Sequence, residues 1–104
     1  MGEQIHVTTE EQEGGWLFRV VLTGADGSST EHRVTLKEAD YRRLTDTQKT
    51  GTSGKVGPER LVEQSFRFLL EREPKEAILK RFDLTVISRY FPEYEGEIAR
   101  RLGS

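Results

Sequence analysis

The chain has 104 residues, 34% of them hydrophobic and 33% charged, with a formal net charge of −2 and no cysteine. That length suits one domain with one core. The lack of cysteine excludes a disulfide framework and thiol chemistry and removes the usual ligands of a structural zinc site. No uninterrupted apolar run exceeds three residues, far short of the roughly 20 that a membrane-spanning helix requires. The opening residues, MGEQIHVTTEEQEGG, are acidic and polar, so no signal peptide is expected and the reading is a soluble cytoplasmic protein. Residues 1–57 carry seven Lys/Arg against nine Asp/Glu, and residues 58–104 nine against nine. Phosphate neutralisation usually leaves a basic excess somewhere in a nucleic-acid-binding domain. None is visible, which argues against a nucleic-acid partner.

The first third reads as strands. Residues 16–22 (WLFRVVL) alternate, with Trp16, Phe18, Val20 and Leu22 on one face. A strand at residues 5–9 precedes it through a Gly14-Gly15 turn. Another at residues 30–36 comes after TGADGSS, a run of turn formers, and sets His32, Val34 and Leu36 on one side. One face is apolar and the other polar, so the sheet should be covered on one side only.

A short helix is expected next, with Thr35 as N-cap, Glu38 completing a capping box, and Leu36, Ala39, Tyr41 and Leu44 as its apolar edge. Residues 45–57 contain three glycines and little apolar content, and read as a flexible internal loop. The GTSGK within them lacks the first glycine and the Ser/Thr of a phosphate-binding loop, and no strand precedes it.

Pro58 suits a first helical position. The helix it opens carries Leu61, Val62, Phe66, Phe68, Leu69 and Leu70 over an arc of roughly 200°, wide enough for a central helix with Phe66 and Leu69 buried. Ser65 lies inside that arc, and Glu63 and Arg67 form a favourable i,i+4 pair. Pro74 should end this helix near Arg72, and Arg72 with Glu73 reads as a buried pair fixing the kink. A second helical piece, PKEAILKRF, would group Ala77, Ile78 and Phe82. Asp83 can cap a third piece with Leu84, Val86, Ile87, Tyr90 and Phe91. Pro92 ends that piece, and Tyr94, Ile98 and Leu102 mark a last helix at spacings of four. The sum is an α+β fold: a three-stranded antiparallel β-meander followed by four or five short helices packed on one sheet face. Residues 1–104 form a single small domain.

No catalytic grouping, cofactor site or metal site can be assembled from these residues. His6 and His32 fall on non-adjacent strands and read as surface or edge positions. Arg89, Tyr90, Phe91 and Tyr94, grouped around Pro92, read first as a tight turn that locks the last helix to the body and second as the candidate interaction patch, because not all of these aromatics need fit so small a core. Residues 77–91 also have the outline of a helix-turn-helix, which makes Lys80, Arg81 and Arg89 alternative nucleic-acid contacts. That spacing is imperfect: Arg81 stands where a small turn residue is usual, and Pro92 cuts the second helix short. The preferred function is a non-enzymatic protein-interaction or regulatory module, monomeric or weakly dimeric. The alternative is a nucleic-acid-binding regulator.

Residues 65–95 resemble a group of short bacterial proteins without an assigned function. The shared pattern is SFxFLLxREP, then ILxxFxL, then RYFPxY, and covers about a third of the chain. It comprises Ser65, Phe66, Phe68, Leu69, Leu70, Arg72, Glu73, Pro74, Ile78, Leu79, Phe82, Leu84, Arg89, Tyr90, Phe91, Pro92 and Tyr94. The resemblance implies a small cytoplasmic bacterial protein and brings no catalytic residues.

Overall fold

In the computed structural model, residues 3–45 and 57–102 are described. The loop expected at residues 45–57, GTSGK included, lies almost wholly outside them. Strands β1 (Gln4–Gln12), β2 (Gly15–Thr23) and β3 (Ser29–Lys37) form the expected antiparallel meander, each longer than its apolar alternation alone marks out. The first turn places Gly14 at φ +78, in the left-handed region that a side chain disfavours. The second is closed by Gly24 donating to the Ser28 carbonyl at 2.8 Å and by the Asp26 carboxylate accepting from the Ser28 amide at 3.0 Å. Phe18, Val20, Leu22, Val34 and Leu36 are buried on one sheet face, while Arg19, Glu31 and Arg33 are exposed on the other.

Helix α1 (Glu38–Leu44) continues from β3 without a break. Thr35 is therefore not its cap. It lies inside the strand, and Lys37 occupies the cap position with no side-chain hydrogen bond. The first helical N–H, that of Glu38, instead donates to the Gly14 carbonyl of the β1–β2 turn at 2.9 Å.

Helix α2 (Pro58–Leu70) has Pro58 at its start, the Glu63–Arg67 pair at 3.0 Å, and Leu61, Val62, Ser65, Phe66, Phe68 and Leu69 buried. It lies between the sheet and the last helix, as its wide apolar arc requires. Pro74 stops it, and two chain segments then depart from expectation. PKEAILKRF is not a helix: only Lys75–Ala77 make a 3-10 turn, Ile78 is extended, and Arg81–Asp83 form a fourth strand, β4. The sheet is therefore mixed and four-stranded, in the order β1-β2-β3-β4, with β4 parallel to β3 through Arg33↔Arg81, Val34↔Phe82 and Thr35↔Asp83. The open edge of β3 explains the change. The non-helical chain over residues 78–83 satisfies edge groups such as the Arg33 N–H, which donates to the Lys80 carbonyl at 2.8 Å. It also buries Ile78 and Phe82.

Asp83 caps the next turn, as expected. Its carboxylate accepts from the Thr85 amide at 3.1 Å and the Thr85 hydroxyl at 2.6 Å, opening the 3-10 turn Leu84–Val86. Burial pushes the Asp83 carboxyl up, but the donors from Thr85 and Thr35 outweigh it and hold the group below its ordinary range. Helix α3 (Ile87–Tyr90) is a single turn, and α4 (Tyr94–Leu102) buries Tyr94, Ile98 and Leu102 at their spacing of four. The buried apolar residues form one cluster between the sheet and these helices. No helix among the described residues is long and apolar enough to cross a membrane.

Candidate binding groove

The corner after α2 distributes its charges unevenly. The Arg72 guanidinium lies 3.6 Å from the centre of the Phe68 ring and donates to the Phe68 carbonyl and the Glu93 carboxylate, each at 3.2 Å. The expected Arg72–Glu73 pair does not form, because Arg72 is turned toward the start of α4. Lys75, nearly buried, pairs with Glu76 at 2.9 Å. Among the described residues, no ion pair or side-chain hydrogen bond engages Glu73.

Beyond the corner, the extended segment is held to the sheet by a histidine. His32 is fully buried, not at a surface or edge. Its Nδ1 lies 2.7 Å from the Leu79 carbonyl and its Nε2 2.8 Å from the Thr30 hydroxyl. A carbonyl oxygen can only accept, so Nδ1 carries the proton and Nε2 accepts from Thr30. Burial lowers the His32 pKa from its ordinary 6.5, against the opposing effect of the Leu79 hydrogen bond. The His32 ring also packs against Phe66, centroids 5.6 Å apart, and Phe66 packs against Phe82 at 5.9 Å.

Between this segment and α3 runs a groove of about 370 Å³, open to solvent. Leu69, Ile78, Phe82 and Ile87, all nearly buried, make its floor. Leu79, 48% exposed, and Tyr90, 68% exposed, also line it, and they are the exposed large hydrophobics among the described residues. Glu73 is the charged group in the lining. A second cleft of about 640 Å³ lies between β1 and the start of α2, lined by Ile5, Val7, Trp16 and Glu59 among others.

The aromatic patch expected around Pro92 is divided by the backbone. The Phe91 N–H closes α3 on the Ile87 carbonyl at 2.9 Å, and Phe91 itself is extended. The chain then turns so that the Tyr94 N–H meets the Phe91 carbonyl at 2.9 Å. Tyr90 and Arg89 stay exposed, whereas Tyr94 enters the core and is 0% exposed. Tyr94 packs on Phe68 at 5.4 Å, and Phe91, half-buried, packs on the same ring at 5.8 Å. The Tyr94 hydroxyl lies 2.7 Å from Ser65 Oγ, which is 2.7 Å from the Leu61 carbonyl. Ser65 gives its one proton to that carbonyl, so Tyr94 is the donor to Ser65. Burial pushes the Tyr94 pKa upward and keeps the phenol protonated.

Residues 77–91 do not form a helix-turn-helix. Its first helix is absent and its second is a single turn, so no recognition helix is formed. Lys80, Arg81 and Arg89 are exposed, and none takes part in an ion pair among the described residues. Among those residues, no group of three or more His, Asp or Glu is placed to hold a metal ion. Compared with protein-family models, curated proteins and solved structures, the chain matches none.

Sequence patterning alone misses the groove, because the PKEAILKRF wall has helical spacing. Leu79 and Glu73 stand out within the REP and ILxxF patterns, but only extended backbone brings them to the same hollow as Tyr90. Chemically, the arrangement offers an apolar bed with one carboxylate and one phenol.

Proposed function

We propose that this chain is a non-enzymatic protein-interaction or regulatory module whose contact surface is the groove lined by Leu79 and Tyr90. It acts as a small soluble protein of the bacterial cytoplasm, monomeric or weakly dimeric. One observation carries this reading. The two exposed large hydrophobic side chains among the described residues line the same groove instead of being scattered over the surface, as at sites that a partner covers. Leu79→Asp and Tyr90→Ala change exposed side chains and should leave the fold intact. Cross-linking in cells should capture a partner with the parent chain and lose it with either variant. The same partner captured equally by folded Leu79→Asp would remove the groove from consideration.

A second reading, nucleic-acid regulation, keeps one favourable observation. Arg19, Arg33 and Arg81 are register partners in a row across the open sheet face, an arrangement of like charges that is unfavourable unless an anion offsets it. Arg19 is paired with Glu31 at 2.8 Å, but Arg33 and Arg81 form no ion pair among the described residues. Retention on single- or double-stranded nucleic acid at low salt, lost in Arg33→Ala/Arg81→Ala, would favour it. No retention at low salt would end it.

A further inference from the structure

We infer that the groove's partner is an amphipathic helical segment of another protein. It sets bulky apolar side chains on the groove floor and a lysine or arginine against the Glu73 carboxylate. The inference rests on the groove being the contact surface and adds the partner's chemistry. Glu73 is the charged residue of an otherwise apolar lining that also holds the Tyr90 phenol. The cations flanking it in sequence are already committed: Arg72 to Phe68 and Glu93, and Lys75 to Glu76. A purely apolar ligand closing over the groove would strip water from a carboxylate that the protein does not pair, an unfavourable arrangement. The ligand must therefore bring the cation.

Shape selects a helix. A volume of about 370 Å³ accepts a few side chains, and Leu79 and Tyr90 remain exposed beside it, where a small ligand on the floor would leave them wet. A helix lying across the groove covers both and delivers apolar residues at i, i+3 or i+4, and i+7. A basic residue one turn away on the same face then reaches Glu73, where a charge-assisted hydrogen bond fixes the register.

The test is selection of a displayed random-peptide library on the immobilised full-length chain, with the winners titrated against parent, Glu73→Gln, Leu79→Asp and, on the far face of β1, Glu10→Gln. The expected winners combine helically spaced large apolar residues with a Lys or Arg. They bind Glu10→Gln like the parent, bind Glu73→Gln several-fold to about tenfold more weakly, and fail to bind Leu79→Asp. Winners without a basic residue, indifferent to Glu73→Gln but lost on Leu79→Asp, would overturn the partner chemistry and leave the groove standing. Winners indifferent to Leu79→Asp, or no enrichment at all, would overturn both. Circular dichroism of the variants checks that each is folded before it is scored.

Discussion

The meander and the span of residues 74–91 are secured by different means. From Gln4↔Thr23 to Gln12↔Gly15, and from Gly15↔Lys37 to Thr23↔Ser29, the first three strands pair without interruption through backbone groups that lie close in sequence. The later span has one strand of three residues. It relies on side chains: His32 on the Leu79 carbonyl, Thr35 on Asp83 at 2.8 Å, Asp83 on Thr85, and Ser88 on the Thr85 carbonyl at 2.8 Å. Surface substitutions in the meander leave its ladder intact. In the span, a single side chain can carry a whole piece of groove wall. The candidate surface therefore sits on the part of the molecule that mutation can reshape without dismantling the sheet.

The comparison breaks most severely at Phe66, whose ring touches both His32 of the sheet and Phe82 of the span. Phe66→Ala should cost about 3–5 kcal/mol, a large part of the roughly 5–15 kcal/mol typical of such a domain. Denaturant unfolding measures it, and a loss below about 1 kcal/mol would mean that the two regions are not joined through this ring.

His32→Ala should cost about 2–4 kcal/mol and sharpen the contrast, because the loss should be local. Hydrogen exchange should accelerate at Arg33 and across β4 while β1–β2 amides keep their protection; equal acceleration in both would refute the distinction. His32 also gives the fold a pH dependence. Burial holds its folded pKa below the ordinary 6.5, so the unfolded chain binds the extra proton first. The stabilisation from neutral His32 is complete above pH 6.5 and falls as pH drops toward its folded value. Glu71, Glu93 and Glu31 have pKa values held below 4.5 and remain charged above that pH. Thermal midpoints taken between these two limits should decline in the parent and decline less in His32→Ala.

Smaller effects separate the two tyrosines of the last segments. Tyr94→Phe removes the donor to Ser65 and should cost about 1 kcal/mol, visible as a lower denaturation midpoint with an unchanged slope. Tyr90→Ala should change stability by less than about 0.5 kcal/mol yet weaken binding at the groove. A Tyr90 variant that unfolds as readily as Phe66→Ala would show that the ring belongs to the core.

Much of the α+β plan is legible because alternation and helical spacing record which faces are covered. The strands, the Pro58 start, the Asp83 cap and the buried stripe of α4 all show in local pattern. β4 does not. Three residues are too few for a period, and Ala77, Ile78 and Phe82 suit a helix face equally well. What decides the conformation is the unpaired edge of β3, a partner far away in the chain. His32 shares the inward phase of Val34 and Leu36, so its direction is readable, but its hydrogen-bond partner Leu79, 47 residues on, is not. Tyr94 carries two conflicting signals. Its spacing to Ile98 and Leu102 marks a buried stripe, while its neighbours suggest a surface patch. The stripe prevails because Ser65 satisfies the hydroxyl inside the core.

The parallel pairing of β3 with β4 has a consequence for how the molecule assembles. Thr35 and Asp83, joined across it, are 48 residues apart, whereas the meander closes over short turns. Closing the longer loop is entropically the later event. During synthesis the outer edge of β3 stays bare until most of the chain has emerged, an interval in which an open strand can recruit another copy of itself. Refolding kinetics should therefore show meander substitutions such as Val20→Ala slowing folding, and Phe82→Ala chiefly speeding unfolding. The groove would then be the last part of the protein to come into being.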